Sequence, residues 1–202
     1  MTRQYLVVFA KAPVLGQVKS RLARGIGPAA ALAFYRQALA RVLRRVGSDR
    51  RWETILAATP DRTARMARRW PLRSRRQAQG GGDLGKRMAR AFRQLPRGRV
   101  VIIGADIPDI TADHVARAFA ALGAADVVLG PARDGGYWLV GARGAVRHAD
   151  MFAGVRWSSA HALADTCANL DGYRVALLDV LDDVDDARAY REFMKNGGFG
   201  RR

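Results

Sequence analysis

Runs of apolar residues alternate with amphipathic stretches along most of this chain. "YLVVFA" (5–10) is a continuous aliphatic run, the pattern of a strand covered on both faces. From Pro28 to about Val46, Leu32, Tyr35, Leu39, Val42 and Val46 recur at three- and four-residue steps, which predicts a helix with one apolar side. "ETILAAT" (53–59) predicts a second strand, and "PDRTARMARRW" (60–70) a helix opened by Pro60. "GGGDLGKRMARAFRQL" (80–95) passes from loop to helix, and "RVVIIGAD" (99–106) is the clearest strand signal. "TADHVARAFAAL" (111–122) predicts a helix capped by Thr111. "DVVLGPA" and "GYWLVGA" bracket "RDGG" as paired strands. "SSAHALADTCANL" (158–170) follows as a serine-capped helix, "YRVALLDV" (173–180) as a strand and "DDARAYREFMKN" (185–196) as the last helix.

Such alternation predicts an α/β fold: one mainly parallel sheet flanked by helices. The expected organisation is a single domain over 1–197 and a flexible tail over 198–202. Six apolar residues near the N-terminus are too few for a signal-peptide core or a membrane span, so a cytoplasmic protein without a span is expected. The single cysteine, Cys167, excludes an internal disulfide and reads as helix packing. His114, His148 and His161 are too scattered for a zinc site.

Charge changes the picture. The chain carries 35 basic and 18 acidic residues, a formal +17, and such a field attracts polyanions and nucleotides. Twelve arginines fall between Arg41 and Arg76, against Asp49, Glu53 and Asp61. A nucleic-acid interface there rests on charge alone, with no recognition motif or aromatic platform, and nucleic acid is not the expected partner. The acids concentrate in "DVLDDVDD" (179–186), which holds five aspartates.

In open α/β sheets ligands bind at the carboxyl ends of the strands. After the first strand come Lys11, Pro13, Gly16, Lys19 and Arg21; after three later ones come Asp106 with Asp109, then Asp134, then the acidic run. Cations and carboxylates on one edge suit a divalent metal and a phosphorylated ligand, because magnesium takes carboxylate and phosphate oxygens together. Each group also has a structural use. Lys19 and Arg21 suit a helix surface, Asp106 an Asx turn, Asp134 a hairpin turn, and Asp183 or Asp185 a helix cap. The glycines of "GGGDLG" suit a flexible turn. Neither GxxxxGKS/T nor a GxGxxG after the first strand is present, which argues against P-loop enzymes and Rossmann dehydrogenases.

"FAKAPVLGQVKSRLA" (9–23), "GGGDLGKRM" (80–88), "GADIPDI" (104–110), "GPARDGGYWLVG" (130–141) and "LDDVDD" (181–186) occur in that order. In this the chain resembles a bacterial family of small glycosyltransferase-A-fold proteins, once labelled a domain of unknown function, that includes arsenosugar-biosynthesis glycosyltransferases. The opening motif also resembles phospholactate guanylyltransferases and, more broadly, molybdenum-cofactor nucleotidyltransferases. The resemblance implies a Rossmann-like nucleotide-diphospho-sugar transferase fold and a metal-dependent transferase using Mg2+ or Mn2+. Its partners would be a nucleotide sugar or nucleoside triphosphate and a small-molecule acceptor. It implies that Lys11, Lys19 and Arg21 hold the nucleotide phosphates, that Pro13 and Gly16 of the same loop are nucleotide-binding, and that Gly80, Asp83 and Leu84 line base and ribose. Asp106 would bind the metal with Asp185 or Asp183, although the Thr-Pro-Glu that usually follows is Asp186-Ala187-Arg188 here. Gly135, Gly136, Tyr137, Trp138, Trp157 and Ser158 would form the acceptor side, with Asp134 and Lys19 catalytic. Tyr137 and Trp138 have sheet packing as their alternative use. Sugar transfer is the expected reaction, nucleotidyl transfer with release of pyrophosphate the alternative, and a non-catalytic nucleotide or nucleic-acid binder the rival outside enzymology. The oligomeric state stays open.

Overall fold

The aliphatic runs do become the centre of a sheet. The computed structural model describes residues 2–66, 70 and 75–200. Seven strands, β1 (Gln4–Lys11), β2 (Glu53–Thr59), β3 (Arg75–Ala78), β4 (Arg99–Gly104), β5 (Val127–Pro131), β6 (Tyr137–Ala142) and β7 (Val175–Leu177), lie in the order β3-β2-β1-β4-β6-β5-β7. All neighbours are parallel except β6, which runs antiparallel to both β4 and β5. The carboxyl ends of six strands and the amino end of β6 therefore share one edge. Leu6 and Val8 of β1 face one packed layer with Leu39, Val42 and Ile103, while Tyr5 and Val7 face the other with Met88, Phe92 and Ile102. Alternate residues on a strand point to opposite faces, so a run with no polar break fits a strand covered on both.

The helices are α1 (Ser20–Ile26), α2 (Pro28–Val46), α3 (Leu84–Gln94), α4 (Ala112–Ala121), α5 (Ala162–Ala168) and α6 (Ala187–Lys195). A third apolar cluster joins Leu22 of α1, Phe34 of α2, Phe193 of α6 and Val184 of the loop before α6. It packs the start of α1 against the end of the acidic run. At the closest approach Gly25 meets Ala187, where a Cβ on Gly25 would lie 2.5 Å from the alanine methyl. Arg147, buried, donates to the carbonyls of Phe92, Leu95 and Pro96, which satisfies the open carbonyl end of α3.

Several expectations are corrected. The expected helix over 60–70 is a 3-10 turn at Asp61–Arg65; residues 67–69 lie outside the described residues, as do Arg73 and its neighbours 71–74. β3 carries no apolar or alternating signal, while α1 forms where Lys19 and Arg21 suit a helix surface and is separated from α2 by Gly27. β7 spans only three residues of 173–180; beyond Leu177 the chain keeps two separate bonds to the end of β5, Leu178 N–H to the Leu129 carbonyl (2.9 Å) and Leu181 N–H to the Pro131 carbonyl (3.2 Å). α5 begins at Ala162 rather than at the serines: Ser158 is left-handed (φ 58°), Ser159 Oγ donates to the Arg156 carbonyl (2.6 Å), and the Gly135 carbonyl accepts the N–H of Leu163. The expected flexible tail is packed over Gly198–Gly200, where Phe199 meets Phe34 and Phe193 and Arg41 donates to the Gly198 carbonyl (2.9 Å); residues 201–202 lie outside the described residues. Among those described, no helix is long and apolar enough to cross a membrane.

Candidate active site

The loop after β1 turns back under the sheet edge and starts α1 at Lys19, whose backbone is left-handed (φ 49°, ψ 51°). Its side chain is 4% exposed, and its ammonium lies 2.8 Å from Asp106 Oδ2, 3.0 Å from Asp183 Oδ2 and 3.5 Å from Asp185 Oδ1. Arg21 Nη1 reaches the other oxygen of Asp185 at 3.2 Å. Residues 164 and 166 positions apart are thus joined by one cation. Burial alone opposes the charge on Lys19, but Asp106, Asp183 and Asp185 together outweigh it and hold the ammonium above the ordinary lysine range. Burial, with Asp106 and Asp185 nearby, pushes the Asp183 carboxyl up despite Lys19.

Every aspartate of 179–186 has a partner, and two of them share one. Asp179 pairs with Arg117, Asp182 with Arg133, and Asp183 and Asp185 with Lys19, while Asp186 caps α6 by accepting from Ala189 N (2.8 Å). Val184, buried, pins the loop between them. The cap is therefore Asp186, which frees Asp183 and Asp185 for the cleft. Because the folded-state pKa of Asp183 is raised, its charge destabilises the fold at neutral pH, and the cost is relieved as pH falls through that pKa. Asp183→Asn is expected to match or exceed the wild-type melting temperature at pH 7. Wild type should gain on the variant as pH is lowered toward 4 in parallel thermal melts; a variant less stable at pH 7 than at pH 4, relative to wild type, contradicts this.

Lys11, Lys19, Arg21, Asp106, Asp134, Ser158, Asp183 and Asp185 line one cleft of about 600 Å³. Of the non-glycine residues described, Lys19 and Ser158 are the two with positive φ, and they stand in that cleft. Strain of this kind persists where surrounding structure over-determines it, and it gathers at functional sites. Sequence reasoning missed Tyr35, a periodic residue of α2. Its hydroxyl donates to the Lys11 carbonyl (2.8 Å) and accepts the Lys11 N–H (2.9 Å), which fixes the end of β1 at the cleft floor. It also missed Gln17, Ser159 and Ala160.

A smaller cavity of about 250 Å³ adjoins the cleft and shares Asp106, Asp134, Asp183, Ser158 and Ser159 with it. Gly136, Tyr137, Trp138, Trp157 and Leu84 line this second space. The Tyr137 hydroxyl lies 3.3 Å from Thr166 Oγ1, and its ring meets Trp157 edge-on at 6.3 Å. Trp138, on the opposite face of β6, is nearly buried: it packs over Gly130 and donates to the Asp179 carbonyl (3.0 Å). It is a wall of the core rather than an open stacking surface. Asp134 Oδ1 accepts from Gly136 N (2.9 Å), so the turn role and the cleft position coexist. Gly135 lines neither space but docks on Ala160.

Pro13, Gly16, Gly80 and Asp83 do not line the cleft. Gly16 supplies a left-handed turn, Asp83 caps α3 by accepting from Lys86 N (2.8 Å), and the Gly80 N–H is held by Asp61. Two glycines of the same motif are closely approached: a Cβ on Gly80 would lie 2.2 Å from the Arg90 guanidinium, and one on Gly85 would lie 2.8 Å from both Phe152 and the Trp157 ring. Among the described residues no three acidic, histidine or cysteine side chains form a ready chelate. The carboxylates expected to bind metal do converge, but around the Lys19 ammonium. Their donor set still fits a hard cation that keeps waters and phosphate oxygens, since one or two carboxylates then suffice. Cys167 packs beside the core and burial raises its thiol pKa, which suits packing and not nucleophilic chemistry. Several arginines of 41–76 are committed within the fold: Arg45 to the Pro108 carbonyl, Arg51 to Asp49 and Trp52, Arg75 to Glu53 and Arg76 to the Ala64 carbonyl.

Residues 42–159 match a family model described as "Uncharacterized protein conserved in bacteria (DUF2064)". A Desulfovibrio desulfuricans G20 protein, provisionally described as a nucleotide-diphospho-sugar transferase, superposes with a TM-score of 0.81 at 30% identity, over 92% of this chain and 84% of its own. Rv0371c of Mycobacterium tuberculosis H37Rv, solved as a complex with manganese, gives 0.58 at 17% identity over 96% and 98% of the two chains. CMP:2-keto-3-deoxy-manno-octonic acid synthetase complexed with CTP gives 0.60 at 11%, over 97% and 98%. At those identities the last two share the fold. No curated protein matches the chain.

Proposed function

The chain belongs to the DUF2064 family, and from that premise we propose that it is a transferase that takes a sugar from a nucleotide donor. The observation that carries this reading is the Lys19 ammonium, buried in the cleft among Asp106, Asp183 and Asp185 with Arg21 beside it. Lys11, Lys19 and Arg21 would hold the donor's phosphates, where charge-assisted hydrogen bonds contribute most. Asp106 and Asp185, with Asp183, would hold Mg2+ or Mn2+, which when bound offsets the charge of the departing diphosphate. Asp134 would take the proton of an acceptor hydroxyl, and Tyr137 and Trp157 would flank the acceptor. The 30% identical Desulfovibrio protein, described as a nucleotide-diphospho-sugar transferase, supports the donor class. The manganese complex of Rv0371c and the CTP complex of the synthetase show that this fold accommodates such ligands in those proteins. Within that class we carry forward the likeness to arsenosugar-biosynthesis glycosyltransferases over that to guanylyltransferases or molybdenum-cofactor enzymes.

The test is a thermal-shift screen of nucleoside di- and triphosphates and nucleotide sugars with Mg2+ or Mn2+. Ligand at one hundred times its Kd stabilises the fold by about 2.7 kcal/mol. A base-selective rise in Tm is expected for diphosphates and their sugars; no shift with any of them contradicts the reading.

A further inference from the structure

An ammonium has three N–H donors, and Lys19 has three acceptors. Its nitrogen lies 2.8 Å from Asp106, 3.0 Å from Asp183 and 3.5 Å from Asp185. With the side chain 4% exposed, no donor is left over for a phosphate oxygen. The carboxylates are engaged in the same way, because oxygens that would meet a hard cation already meet Lys19. Phosphate contact by Lys19 and metal ligation by the acids are therefore both incompatible with the ion pairs seen, and each role is taken up most easily when the other is. Lys11 and Arg21 line the same cleft and are exposed, so phosphates can dock there before Lys19 moves. Lys19 can move without its backbone: its carbonyl stays on the Ala23 N–H (2.8 Å) at the start of α1, while the four-carbon stem is flexible.

We infer that Lys19 is an exchangeable internal counter-ion: its ammonium holds the acids until the donor's diphosphate draws it off, so that nucleotide and divalent metal bind strongly together and weakly apart. This deepens the proposed function and rests on it. A divalent cation alone has to share the carboxylates with a buried positive charge, and like charges repel strongly where water is largely excluded. A diphosphate alone pulls Lys19 from Asp106, Asp183 and Asp185, and separating one partner of a buried ion pair leaves the others uncompensated. With both ligands the ammonium passes to the phosphates and the carboxylates to the metal, and neither cost remains. The effect of each ligand on the other's affinity is equal by linkage, typically about 5- to 150-fold. Direct bonding between metal and phosphate oxygens adds coupling of its own. That part does not need Lys19, whereas the exchange does, so the two are separable by substitution.

The test is equilibrium dialysis of the full chain against Mn2+ at fixed free concentration, with and without inorganic pyrophosphate, whose own binding is measured in the same chambers. Wild type is expected to bind Mn2+ at least about tenfold more tightly with pyrophosphate than without it. In Lys19→Met, Mn2+ alone should bind at least about tenfold more tightly than in wild type, and the enhancement by pyrophosphate should shrink by a comparable factor. Lys19→Gln, which keeps a donor but no charge, should shift both values in the same direction and answers the question if the methionine variant folds poorly. No enhancement in wild type, equal enhancement in wild type and the neutral variants, or Mn2+ alone bound no better by those variants overturns the exchange. Each of these leaves the donor assignment standing as long as pyrophosphate binds. Failure of wild type to bind either Mn2+ or pyrophosphate overturns both.

Discussion

Replacing Lys19 by methionine is expected to weaken nucleoside diphosphate binding by about 10- to 100-fold, the worth of a charge-assisted hydrogen bond to phosphate. Methionine keeps the length of the stem and removes only the ammonium. Without it Asp106, Asp183 and Asp185 face one another with Arg21 alone nearby, and Arg21 is mostly exposed. Removing one partner of a buried ion pair costs about 3–5 kcal/mol. These carboxylates are each about a third exposed, so solvent screens part of the repulsion and about 2–4 kcal/mol of stability is the expected loss. The same change should make Mn2+ bind more tightly in the absence of nucleotide, since the carboxylates lose their internal counter-ion. Equilibrium dialysis of Mn2+ and thermal melts check the two effects separately. A variant that is less stable yet binds Mn2+ no better would mean that the three acids do not act on one common cation.

Gly135→Ala is expected to cost about 2–4 kcal/mol and to remove most transfer activity. Gly135 has φ +83°, where a Cβ carries a penalty of about 1–2 kcal/mol. The larger part comes from contact: that Cβ would lie 2.2 Å from the Ala160 carbonyl oxygen, a backbone atom that cannot swing aside. The hairpin must lift off the 158–162 segment, which breaks the Leu163 N–H bond to the Gly135 carbonyl (2.9 Å). Ser158, Ser159 and Asp134 then part, and both cavities lose their shared wall. Gly144→Ala makes the control, because Gly144 also has positive φ (58°) but nothing within 4 Å of its added Cβ. Chemical denaturation of both variants is expected to show the larger loss at 135; equal losses would assign the effect to backbone conformation alone.

The sheet was legible where burial on both faces leaves no polar break, as in β1 and β4. β3, "RRQA", gave no such signal because it is an edge strand with β2 as its one neighbour, and such strands need no apolar face. The placement of Tyr137 and Trp138 on one acceptor wall went against strand parity. Neighbours on a strand face opposite sides, and the structure sends the Trp138 ring to the α4 side by His114 and Tyr137 toward Trp157, although both residues still border the smaller cavity. Motif order pointed to Lys19, Asp106 and the acidic run as one site. It did not show that they meet on a single ammonium, because that contact is set by Leu22, Val184 and Phe193 packing over long sequence separations. Asp83 and the glycines before it illustrate the reverse case, where a motif read as ligand-binding has a helix cap and a turn as its work in this structure.

Calorimetric titration with a nucleoside diphosphate, its nucleoside and inorganic pyrophosphate, each with Mn2+, into wild type and Asp106→Ala, puts the cleft to the most direct trial. Binding of the diphosphate and of pyrophosphate but not of the nucleoside alone, lost in the variant while its thermal melt stays cooperative, is the expected result. Diphosphate binding undiminished in Asp106→Ala, or absent from wild type, would contradict a phosphate site built on Lys19 and its carboxylates.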